Sequence, residues 1–427
     1  MPKYVIIGGS AGAIGAVEAI REVDPRGSIA VVSDEPLSTY SRPMIGEYLS
    51  GETPLEDIMY RSRDFWRDQK VEAFVGRRVV GVDLDGKCIK LEGDVKIDFE
   101  NLLIATGSKP FVAKIDGINK KGVFTFTTLA DVEALKESIA AAEKAVVVGG
   151  GLIGMCIAEA LTKHDIEVTI VELKDKILSL LLDSMASDIV KTKIQNAGVS
   201  VITGHSAQQI IGRNDNETEV GAVVLDNGEI IPCDMVVMAI GVRPCTELVF
   251  GTKVKTNRGI VVDRFMRTNI PYVYACGDVA EAYDFVSNEN MVLPQWPVAC
   301  SSGKVAGYNM AGKKTQYSGA TVMSALKYFG IPIIAVGITD PKDIGGYEAL
   351  VSYKPKVGSY KKIVIKDGKI AGFILVQDIE RAGILFYLMK KGVKVDDFKG
   401  KLLAEDFGIV SLPEQTRRIL LTEGLKH

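Results

Sequence analysis

Two glycine-rich segments, 141 residues apart, have the residue types and spacing that bind nucleotide phosphates. The second places Gly149, Gly151 and Gly154 in the order G-x-G-x-x-G, with Leu152 and Ile153 between the last two glycines. In this pattern the glycines allow a tight turn, a close backbone approach to a pyrophosphate and close packing of helix on strand. The helix N-terminus after the turn adds unpaired N–H groups and a partial positive charge. The segment therefore predicts a dinucleotide-binding turn.

The first segment has Gly8, Ser10 and Ala13 at the three corresponding positions, so it departs from the pattern twice. Serine and alanine are still small enough for the close approach and the packing that the motif needs. An ordinary turn without a ligand is the alternative. We favour a second nucleotide-binding turn, because a strand pattern precedes it, a helical pattern follows it and an acidic residue comes at a suitable distance.

An acidic side chain follows each segment at the distance at which ribose hydroxyls are bound. Glu172 comes 23 residues after the first glycine of its motif, and Asp34 comes 26 residues after the first glycine of the other, with Glu35 next to it. A carboxylate suits a free 2′-hydroxyl and repels a 2′-phosphate, so we expect NADH rather than NADPH at the second motif. NADPH stays an alternative because Lys174 and Lys176 follow and could accommodate a 2′-phosphate. The other interpretation of the two lysines is a solvated loop.

The elements that must position these residues are readable from the apolar pattern. β-Branched runs precede and follow each turn, as in buried parallel strands, and apolar residues at helical spacing come between them. One chain thus carries two βαβ units, which predicts an α/β fold. The predicted strands are 4–7, 29–32, 145–148 and 168–171, and the predicted helices are 14–23 and 155–163.

Asp-Gly and Asn-Gly dipeptides in the rest of the chain predict β-hairpins. Asp85-Gly86 and Asn227-Gly228 each lie between two short apolar strands, which predicts one hairpin after each βαβ unit. A third hairpin is predicted around Asp367-Gly368, with a helix over 380–391. These elements predict a separate C-terminal domain over 319–427.

Composition excludes several classes of protein. The 427 residues include 51 Lys and Arg and 54 Asp and Glu, and a net charge of −3 gives no basic surface for nucleic acid. We expect no membrane span, because no apolar run reaches the roughly 18 residues required, and the start MPKYVIIGGS lacks the pattern of a secretory signal. With six cysteines but no C-x-x-C pair, and three histidines, we expect no bound metal and a cytoplasmic location.

Six segments follow one another along the chain: GGSAGA, LLIATGSKP, VVVGGGLIG, MAIGVRP, VYACGDVAEA and YSGA. In this order they resemble the FAD-dependent pyridine nucleotide-disulfide oxidoreductase superfamily over nearly the whole chain. The resemblance implies two Rossmann-like dinucleotide-binding domains, for FAD and NAD, and a C-terminal α+β interface domain. The implied boundaries are 1–115 and 243–318 for the FAD domain, 116–242 for the NAD(P) domain and 319–427 for the C-terminal domain.

The resemblance also assigns cofactor contacts to particular residues of this sequence. Those implied for FAD are Gly8, Ser10, Gly12, Ala13, Asp34, Glu35, Arg42, Pro43, Ala105, Thr106, Gly107, Gly277, Asp278 and Trp296. Those implied for NAD are Gly149, Gly151, Leu152, Ile153, Gly154, Glu172, Gly241 and Val242.

The chain departs from the family where disulfide-reducing members carry a redox cysteine. No cysteine occurs among residues 1–87, and attack on a disulfide or persulfide requires a low-pKa thiolate against the flavin. That mechanism is therefore disfavoured. We expect Cys156 and Cys276 to be buried packing residues.

The segment Tyr40-Ser41-Arg42-Pro43 instead resembles rubredoxin and ferredoxin reductases and the NADH subunit of nitrite reductases. In many of those, a lysine after the proline pairs with a glutamate on the second dinucleotide helix. The corresponding residues here are Glu47 and Cys156, so that pairing is lost or replaced; both, with Arg42, are flavin-side candidates. Arg42 contacts the flavin or a partner, or is an exposed loop residue, and Trp296 shields the flavin or belongs to the core.

This branch of the family implies hydride transfer between NAD(H) and FAD, with NADPH less favoured. Because we find no redox thiol and no cluster in the sequence, we expect electrons to pass to or from an iron–sulfur protein or a subunit of a larger redox complex. One alternative is a stand-alone NADH oxidase or a CoA-disulfide or persulfide-type reductase, and another is a non-catalytic nucleotide-binding subunit. The protein is expected to form a homodimer or a hetero-oligomer.

Overall fold

The computed structural model describes residues 2–342 and 345–423, which group into two compact units. Among the described residues, the first unit comprises the chain up to Ala113, Phe124–Ala140 and Ile240–Ala320. The second unit comprises Lys114–Val123, Ala141–Ala239 and the chain from Thr321 onward.

The regular elements are numbered in chain order. The strands are β1 (Tyr4–Ile7), β2 (Ile29–Ser33), β3 (Val71–Val75), β4 (Val79–Asp83), β5 (Cys88–Leu91), β6 (Lys96–Asp98), β7 (Asn101–Ile104), β8 (Ser108–Pro110), β9 (Val123–Thr125), β10 (Lys144–Val148), β11 (Glu167–Glu172), β12 (Ser200–Thr203), β13 (Ala207–Gly212), β14 (Val220–Leu225), β15 (Ile230–Pro232), β16 (Met235–Met238), β17 (Val242–Pro244), β18 (Ile260–Val261), β19 (Val273–Ala275), β20 (Ala280–Asp284), β21 (Glu289–Val292), β22 (Met323–Tyr328), β23 (Ile331–Gly337), β24 (Tyr347–Lys354), β25 (Ser359–Lys366) and β26 (Lys369–Val376). The α-helices are α1 (Ala11–Val23), α2 (Ile45–Leu49), α3 (Phe65–Asp68), α4 (Leu129–Ile139), α5 (Leu152–Thr162), α6 (Ser184–Asn196), α7 (Trp296–Met310), α8 (Ala382–Lys390) and α9 (Glu414–Glu423). Short 3-10 helices occur at Arg42–Met44, Glu247–Val249, Gly277–Val279, Lys399–Lys401 and Ile409–Ser411.

A parallel sheet of order β19-β7-β1-β2-β3 forms the centre of the first unit. All residues of β1 and β2 are buried, as expected where both faces of a parallel sheet are covered. Helices α1 and α7 pack with their backbones in contact. A Cβ added at Gly303 would collide with the carbonyl oxygen of Gly12, and one added at Gly307 would collide with that of Ala16.

Smaller sheets complete the first unit. The hairpin predicted around Asp85-Gly86 is confirmed, because β4 and β5 pair antiparallel and form a three-stranded sheet with β6. Strands β18, β20 and β21 form another sheet, and β17 pairs antiparallel with β8.

The second unit contains a parallel sheet of order β12-β11-β10-β16, with β9 at its edge, and the boundary between the units falls within β9. Helix α5 packs against β10 and β11. An antiparallel sheet of order β13-β14-β15 accompanies it. The pairing of β14 with β15 confirms the hairpin predicted around Asn227-Gly228.

The C-terminal part of the second unit is an antiparallel sheet of order β22-β23-β26-β25-β24, with α8 packed on β26. The hairpin predicted around Asp367-Gly368 is confirmed as the turn between β25 and β26. Helix α8 begins at Ala382, two residues later than predicted, and its buried residues are Leu385, Leu388 and Met389. The predicted α/β fold with a C-terminal α+β domain is confirmed.

None of the helices in the described part of the chain has the length and apolar character of a membrane span. Within residues 2–342 and 345–423, no group of three or more His, Cys, Asp and Glu side chains is placed to hold a metal ion.

Candidate nucleotide-binding sites

The carboxyl ends of β19, β7 and β1 lie side by side at one edge of the first parallel sheet. Gly8 directly follows β1, and Ala105-Thr106-Gly107 directly follows β7. Gly277-Asp278 follows β19 with one residue between them. Ligands of such sheets bind outside the carboxyl edge of the strands. The structure thus brings together three segments that the family resemblance assigns to FAD.

Gly8 lies against the backbone that follows β7. Its φ of 117° favours glycine, and an added Cβ would collide with the carbonyl oxygen of Ala105. A Cβ added at Gly12 would lie 2.9 Å from a cysteine sulfur. Ser10 is the N-cap residue of α1 and makes no side-chain cap hydrogen bond, while Ala13 is buried on the helix. This turn presents the N–H groups of a helix N-terminus, where a pyrophosphate binds.

Two buried hydroxyl groups follow β2. Ser38 Oγ and Thr39 Oγ1 have no hydrogen-bond partner within the described ranges. The Ser38 side chain is so close to Gly9 that a Cβ added there would collide with it. A buried hydroxyl without a partner is costly, and a polar ligand beside Gly9 would satisfy this one. The turn and these hydroxyls therefore fit the expected FAD.

The two acidic residues after β2 have different surroundings. Asp34 is exposed, and its carboxylate lies 3.4 Å from a guanidinium nitrogen of Arg78. Glu35 is half-buried, accepts a 2.6 Å hydrogen bond from the Tyr40 hydroxyl and forms an ion pair with Arg42. Asp34 or Glu35 stays the predicted partner of the adenosine ribose of FAD.

Arg42 is ordered by its contacts rather than free in a loop. Its side chain is 32% exposed, pairs with Glu35 and donates a 2.9 Å hydrogen bond to the carbonyl oxygen of Thr127. The neighbouring Tyr40 hydroxyl accepts a 3.1 Å hydrogen bond from the N–H of Leu129. Burial raises the pKa of Tyr40 well above its ordinary value, so the hydroxyl stays protonated and donates to Glu35. These contacts fix the segment after β2 against the start of α4.

Asp278 accepts a 2.7 Å hydrogen bond from the Ser108 hydroxyl. Burial raises the pKa of the Asp278 carboxyl, and the opposing effects of Ser108 and Arg42 are smaller. The N–H of Gly277 donates a 3.1 Å hydrogen bond to the Ser302 hydroxyl on α7. The contact of Asp278 with FAD stays a prediction.

The segments that enter and leave the second unit meet in the first unit. Strand β8 pairs with β17, which begins at Val242, and the carbonyl oxygen of Gly241 accepts a 2.9 Å hydrogen bond from the N–H of Phe111. The Thr106 hydroxyl donates a 2.9 Å hydrogen bond to the carbonyl oxygen of Cys245. Gly241 and Val242, predicted to lie beside NAD, are thus grouped with the FAD segments.

Three further flavin-side candidates differ in exposure. Trp296 is the first residue of α7, is half-buried and makes an edge-to-face contact with Tyr60, with ring centroids 5.2 Å apart. Pro43 and Glu47 are both exposed, in the 3-10 helix after Ser41 and on α2. Their roles stay predictions.

The second glycine-rich turn, in the second unit, fits a dinucleotide in the same way. The N–H of Gly149 donates a 2.8 Å hydrogen bond to the adjacent strand β11. A Cβ added at Gly154 would collide with the carbonyl oxygen of Gly149, whereas no atom lies within 4 Å of a Cβ added at Gly151. Leu152 is exposed and Ile153 is half-buried on the first turn of α5.

Glu172 ends β11 with its carboxylate against this turn. The carboxylate accepts hydrogen bonds of 2.6 Å from the N–H of Gly150 and 2.8 Å from the N–H of Lys174. It is therefore fixed beside the turn, and its contact with a ribose diol stays a prediction. Of the two loop lysines, Lys174 has an exposed side chain, and Lys176 forms a 2.8 Å ion pair with Asp340.

Four cysteines have the surroundings of packing residues. Burial raises the pKa of the Cys276 thiol and raises that of Cys233 to about 12, and it also raises the thiol pKa of Cys245 and Cys300. A raised pKa disfavours the nucleophilic thiolate. Cys156, which was expected to be buried, is only half-buried, whereas its helix neighbours Met155 and Ile157 are buried.

Sequence reasoning assigned no role to the hydroxyl groups around the first turn. They belong to Ser38, Thr39, Tyr40 and Ser108, of which the first three are consecutive. The run of three hydroxyl residues that begins three positions after Glu35 is the signal that could have found the first three. Their burial and their partners depend on contacts between distant segments.

Residues 2–303 match the family described as pyridine nucleotide-disulphide oxidoreductase, and residues 323–393 match the rubredoxin NAD+ reductase C-terminal domain. The chain is 30% identical over 411 residues to the epsilon subunit of the NADH-dependent phenylglyoxylate dehydrogenase of Aromatoleum evansii. That alignment covers 95% of this chain and 96% of the relative.

A second relative is longer than this chain. The nitrite reductase [NAD(P)H] of Bacillus subtilis (strain 168) is 28% identical over 397 residues, which cover 92% of this chain but only 48% of the relative. The chain therefore spans about half the length of that protein.

Among solved structures, the NAD-dependent persulfide reductase from A. fulgidus superposes with a TM-score of 0.86 at 26% sequence identity. The superposition covers 92% of this chain and 78% of that protein.

Proposed function

This chain belongs to the pyridine nucleotide-disulphide oxidoreductase family, and on that premise we propose that it oxidises NADH and passes the electrons to an iron–sulfur protein or subunit. The family match implies FAD and a nicotinamide nucleotide as cofactors. When bound, they supply hydride transfer between nicotinamide and flavin and the onward release of electrons from the flavin. The chain's own residues bind and orient them.

Binding of FAD is supported by the carboxyl edge of the first sheet. The helix N-terminus after Gly8 meets the pyrophosphate, the hydroxyls of Ser38 and Thr39 offer unused hydrogen bonds, and Asp278 offers a buried carboxyl. Gly8 directly follows β1 and Asp278 lies in the 3-10 helix after β19, so both are positioned before the cofactor binds.

Preference for NADH is supported by Glu172. Its carboxylate is already held by two backbone N–H groups beside the glycine-rich turn, at 2.6 and 2.8 Å. A 2′-phosphate at this position would meet a negative charge, whereas a ribose diol donates hydrogen bonds to it.

The placement of the cysteines supports the proposal that the flavin passes its electrons to an external acceptor. No cysteine occurs among residues 1–87, and burial raises the thiol pKa of Cys276, which directly follows β19 at the carboxyl edge of the first sheet. A disulfide relay needs a low-pKa thiolate. The electrons are therefore passed on without a thiol of this chain.

An iron–sulfur acceptor is supported by the comparisons. Residues 323–393 match the C-terminal domain of rubredoxin reductase, and the relative of nearly equal length is named a subunit of an NADH-dependent dehydrogenase. We propose that the chain works as the NADH-coupling component of a redox complex in the cytoplasm. This proposal requires a hetero-oligomer that contains the acceptor subunit. If the acceptor were instead a freely diffusing protein, the chain would form a homodimer.

The second candidate is a stand-alone oxidase or persulfide-type reductase, which the similarity to the A. fulgidus enzyme favours. In that case the electron acceptor would be oxygen or a persulfide rather than an iron–sulfur protein. The third, a nucleotide-binding subunit without turnover, has no particular observation in its favour.

The acceptor is tested by reducing the FAD-loaded protein with NADH without oxygen and then mixing it with ferredoxin, rubredoxin, a persulfide or air. We expect an iron–sulfur protein to reoxidise the flavin faster than oxygen does at equal concentration, because electron transfer between two docked redox centres forms no bond. Faster reoxidation by oxygen or by a persulfide would support the second candidate. Failure of NADH to reduce the protein would support the third.

A further inference from the structure

An ion-pair network joins the loop after Glu172 to the C-terminal sheet, within the second unit. Lys176 Nζ lies 2.8 Å from one carboxylate oxygen of Asp340, and Lys362 Nζ lies 3.5 Å from the other. Lys362 also pairs with Asp183 at 2.9 Å. The side chains of Lys176 and Lys362 are only 15% and 11% exposed, so the network withdraws both cations from solvent.

Lys176 belongs to the loop that closes onto the second glycine-rich turn. The N–H of Leu178 donates a 2.8 Å hydrogen bond to the carbonyl oxygen of Gly150, and the Ile177 side chain would lie 3.0 Å from a Cβ added at Gly150. The N–H of the same glycine binds the Glu172 carboxylate at 2.6 Å. Lys176 is therefore next in sequence to residues that touch the ribose-binding end of the turn.

If Lys176 had no ion-pair partner, it would be suited to bind a 2′-phosphate, because an ammonium group binds phosphate as a point charge. In the structure its partner is Asp340. Burial favours the neutral form of the Asp340 carboxyl, but Lys176 and Lys362 together lower its pKa below the ordinary value. Asp340 is thus a carboxylate at neutral pH and pairs with Lys176 as a charge.

We propose that Asp340 is a positioning residue for nucleotide selectivity, which holds Lys176 away from the 2′-phosphate of NADPH. The inference rests on the proposed NADH site around Glu172. It gives the C-terminal segment a part in the choice of nucleotide, through Lys176. Glu172 repels the phosphate directly, and Asp340 removes one of the two loop cations that would attract it, Lys176, while the Lys174 side chain stays exposed.

The test is calorimetric binding of 5′-AMP and of adenosine 2′,5′-bisphosphate to the FAD-containing protein, since the two probes differ only in the 2′-phosphate. We expect Asp340→Asn to bind the bisphosphate about five- to tenfold more tightly than the unaltered protein, with the affinity for 5′-AMP within about twofold. Asp340→Glu keeps the charge and should show no gain. Adding Lys176→Met to Asp340→Asn should abolish the gain.

A gain that persists without Lys176, or equal tightening for both probes, would overturn the proposal. Because Asp340→Asn leaves Lys362 with one partner fewer, Asp340→Asn/Lys362→Met is a second variant that removes one charge of each sign. It should show the same gain, and its absence in a folded protein would also overturn the proposal. If the unaltered protein bound neither 5′-AMP nor NADH, the proposed site itself would be wrong.

Discussion

At the scale of single residues, the proposed nucleotide preference depends on where one carboxylate is fixed. Glu172 is held by the backbone of Gly150 and Lys174, so its charge cannot swing away from an incoming 2′-phosphate. Such a charge discriminates by repulsion as well as by hydrogen bonding.

Replacing Glu172 with arginine removes the repulsion and adds a cation. We expect the ratio of kcat/KM for NADPH to kcat/KM for NADH to rise by about tenfold or more, as for one charge-assisted contact. Glu167→Arg is the matched control, because Glu167 is exposed at the start of the same strand and should leave the ratio unchanged. An unchanged ratio in Glu172→Arg would show that this side chain does not contact the ribose.

At the scale of elements, the first site depends on two helices whose backbones touch. Glycine is required at Gly303 because an added Cβ would collide with the carbonyl oxygen of Gly12, which lies on the first turn of α1. Any separation of α1 from α7 therefore moves the turn that is proposed to bind the FAD pyrophosphate.

Gly303→Ala should lower the free energy of unfolding by about 1–3 kcal/mol through overpacking, and should weaken FAD retention. Gly383→Ala is the control, because Gly383 lies in helix α8 with no atom within 4 Å of an added Cβ. That change should instead stabilise by up to about 1 kcal/mol through helix propensity. Thermal melting and FAD release would be compared, and equal effects of the two changes would refute the packing argument.

A second element-scale contact joins the start of β1 to the end of α1. Hydrogen bonds from Lys3, at 2.7 Å, and from Tyr4, at 2.9 Å, lower the pKa of Asp24 from 3.8 to about 2. Because the pKa is lower in the folded protein, this stabilisation is present above pH 3.8 and is lost as the pH falls through 2.

Asp24→Asn should therefore cost about 1 kcal/mol of stability at pH 7, since the pair is partly exposed, and progressively less between pH 4 and pH 2. Denaturant unfolding at several pH values measures this difference. Asp85→Asn, at an exposed hairpin turn, serves as the control. A deficit for Asp24→Asn that did not shrink in acid would mean that its carboxylate charge contributes nothing.

Local pattern was enough to predict both βαβ units, three hairpins and the α/β fold, because glycine turns and apolar periodicity are properties of short segments. The buried hydroxyls of Ser38 and Thr39, the packing of Gly303 on Gly12 and the pairing of Lys176 with Asp340 were not predictable in this way. Each joins residues distant in sequence or depends on burial, and spacing along the chain carries no information about either. Cys156 was misjudged for the same reason.

At the scale of the whole molecule, each unit is built from three separate segments of the chain, and the two glycine-rich turns lie in different units. The domain boundaries near residues 115, 242 and 318 stay predictions. The central claim is that electrons enter and leave the protein through a flavin alone, without a thiol of this chain.

Anaerobic titration of the FAD-containing protein with NADH tests that claim most directly. A protein whose only redox group is the flavin takes up about one NADH per FAD before excess NADH accumulates, because the flavin accepts two electrons. A redox-active disulfide or persulfide accepts two more. Our account predicts about one equivalent, whereas an endpoint near two equivalents per FAD would contradict it.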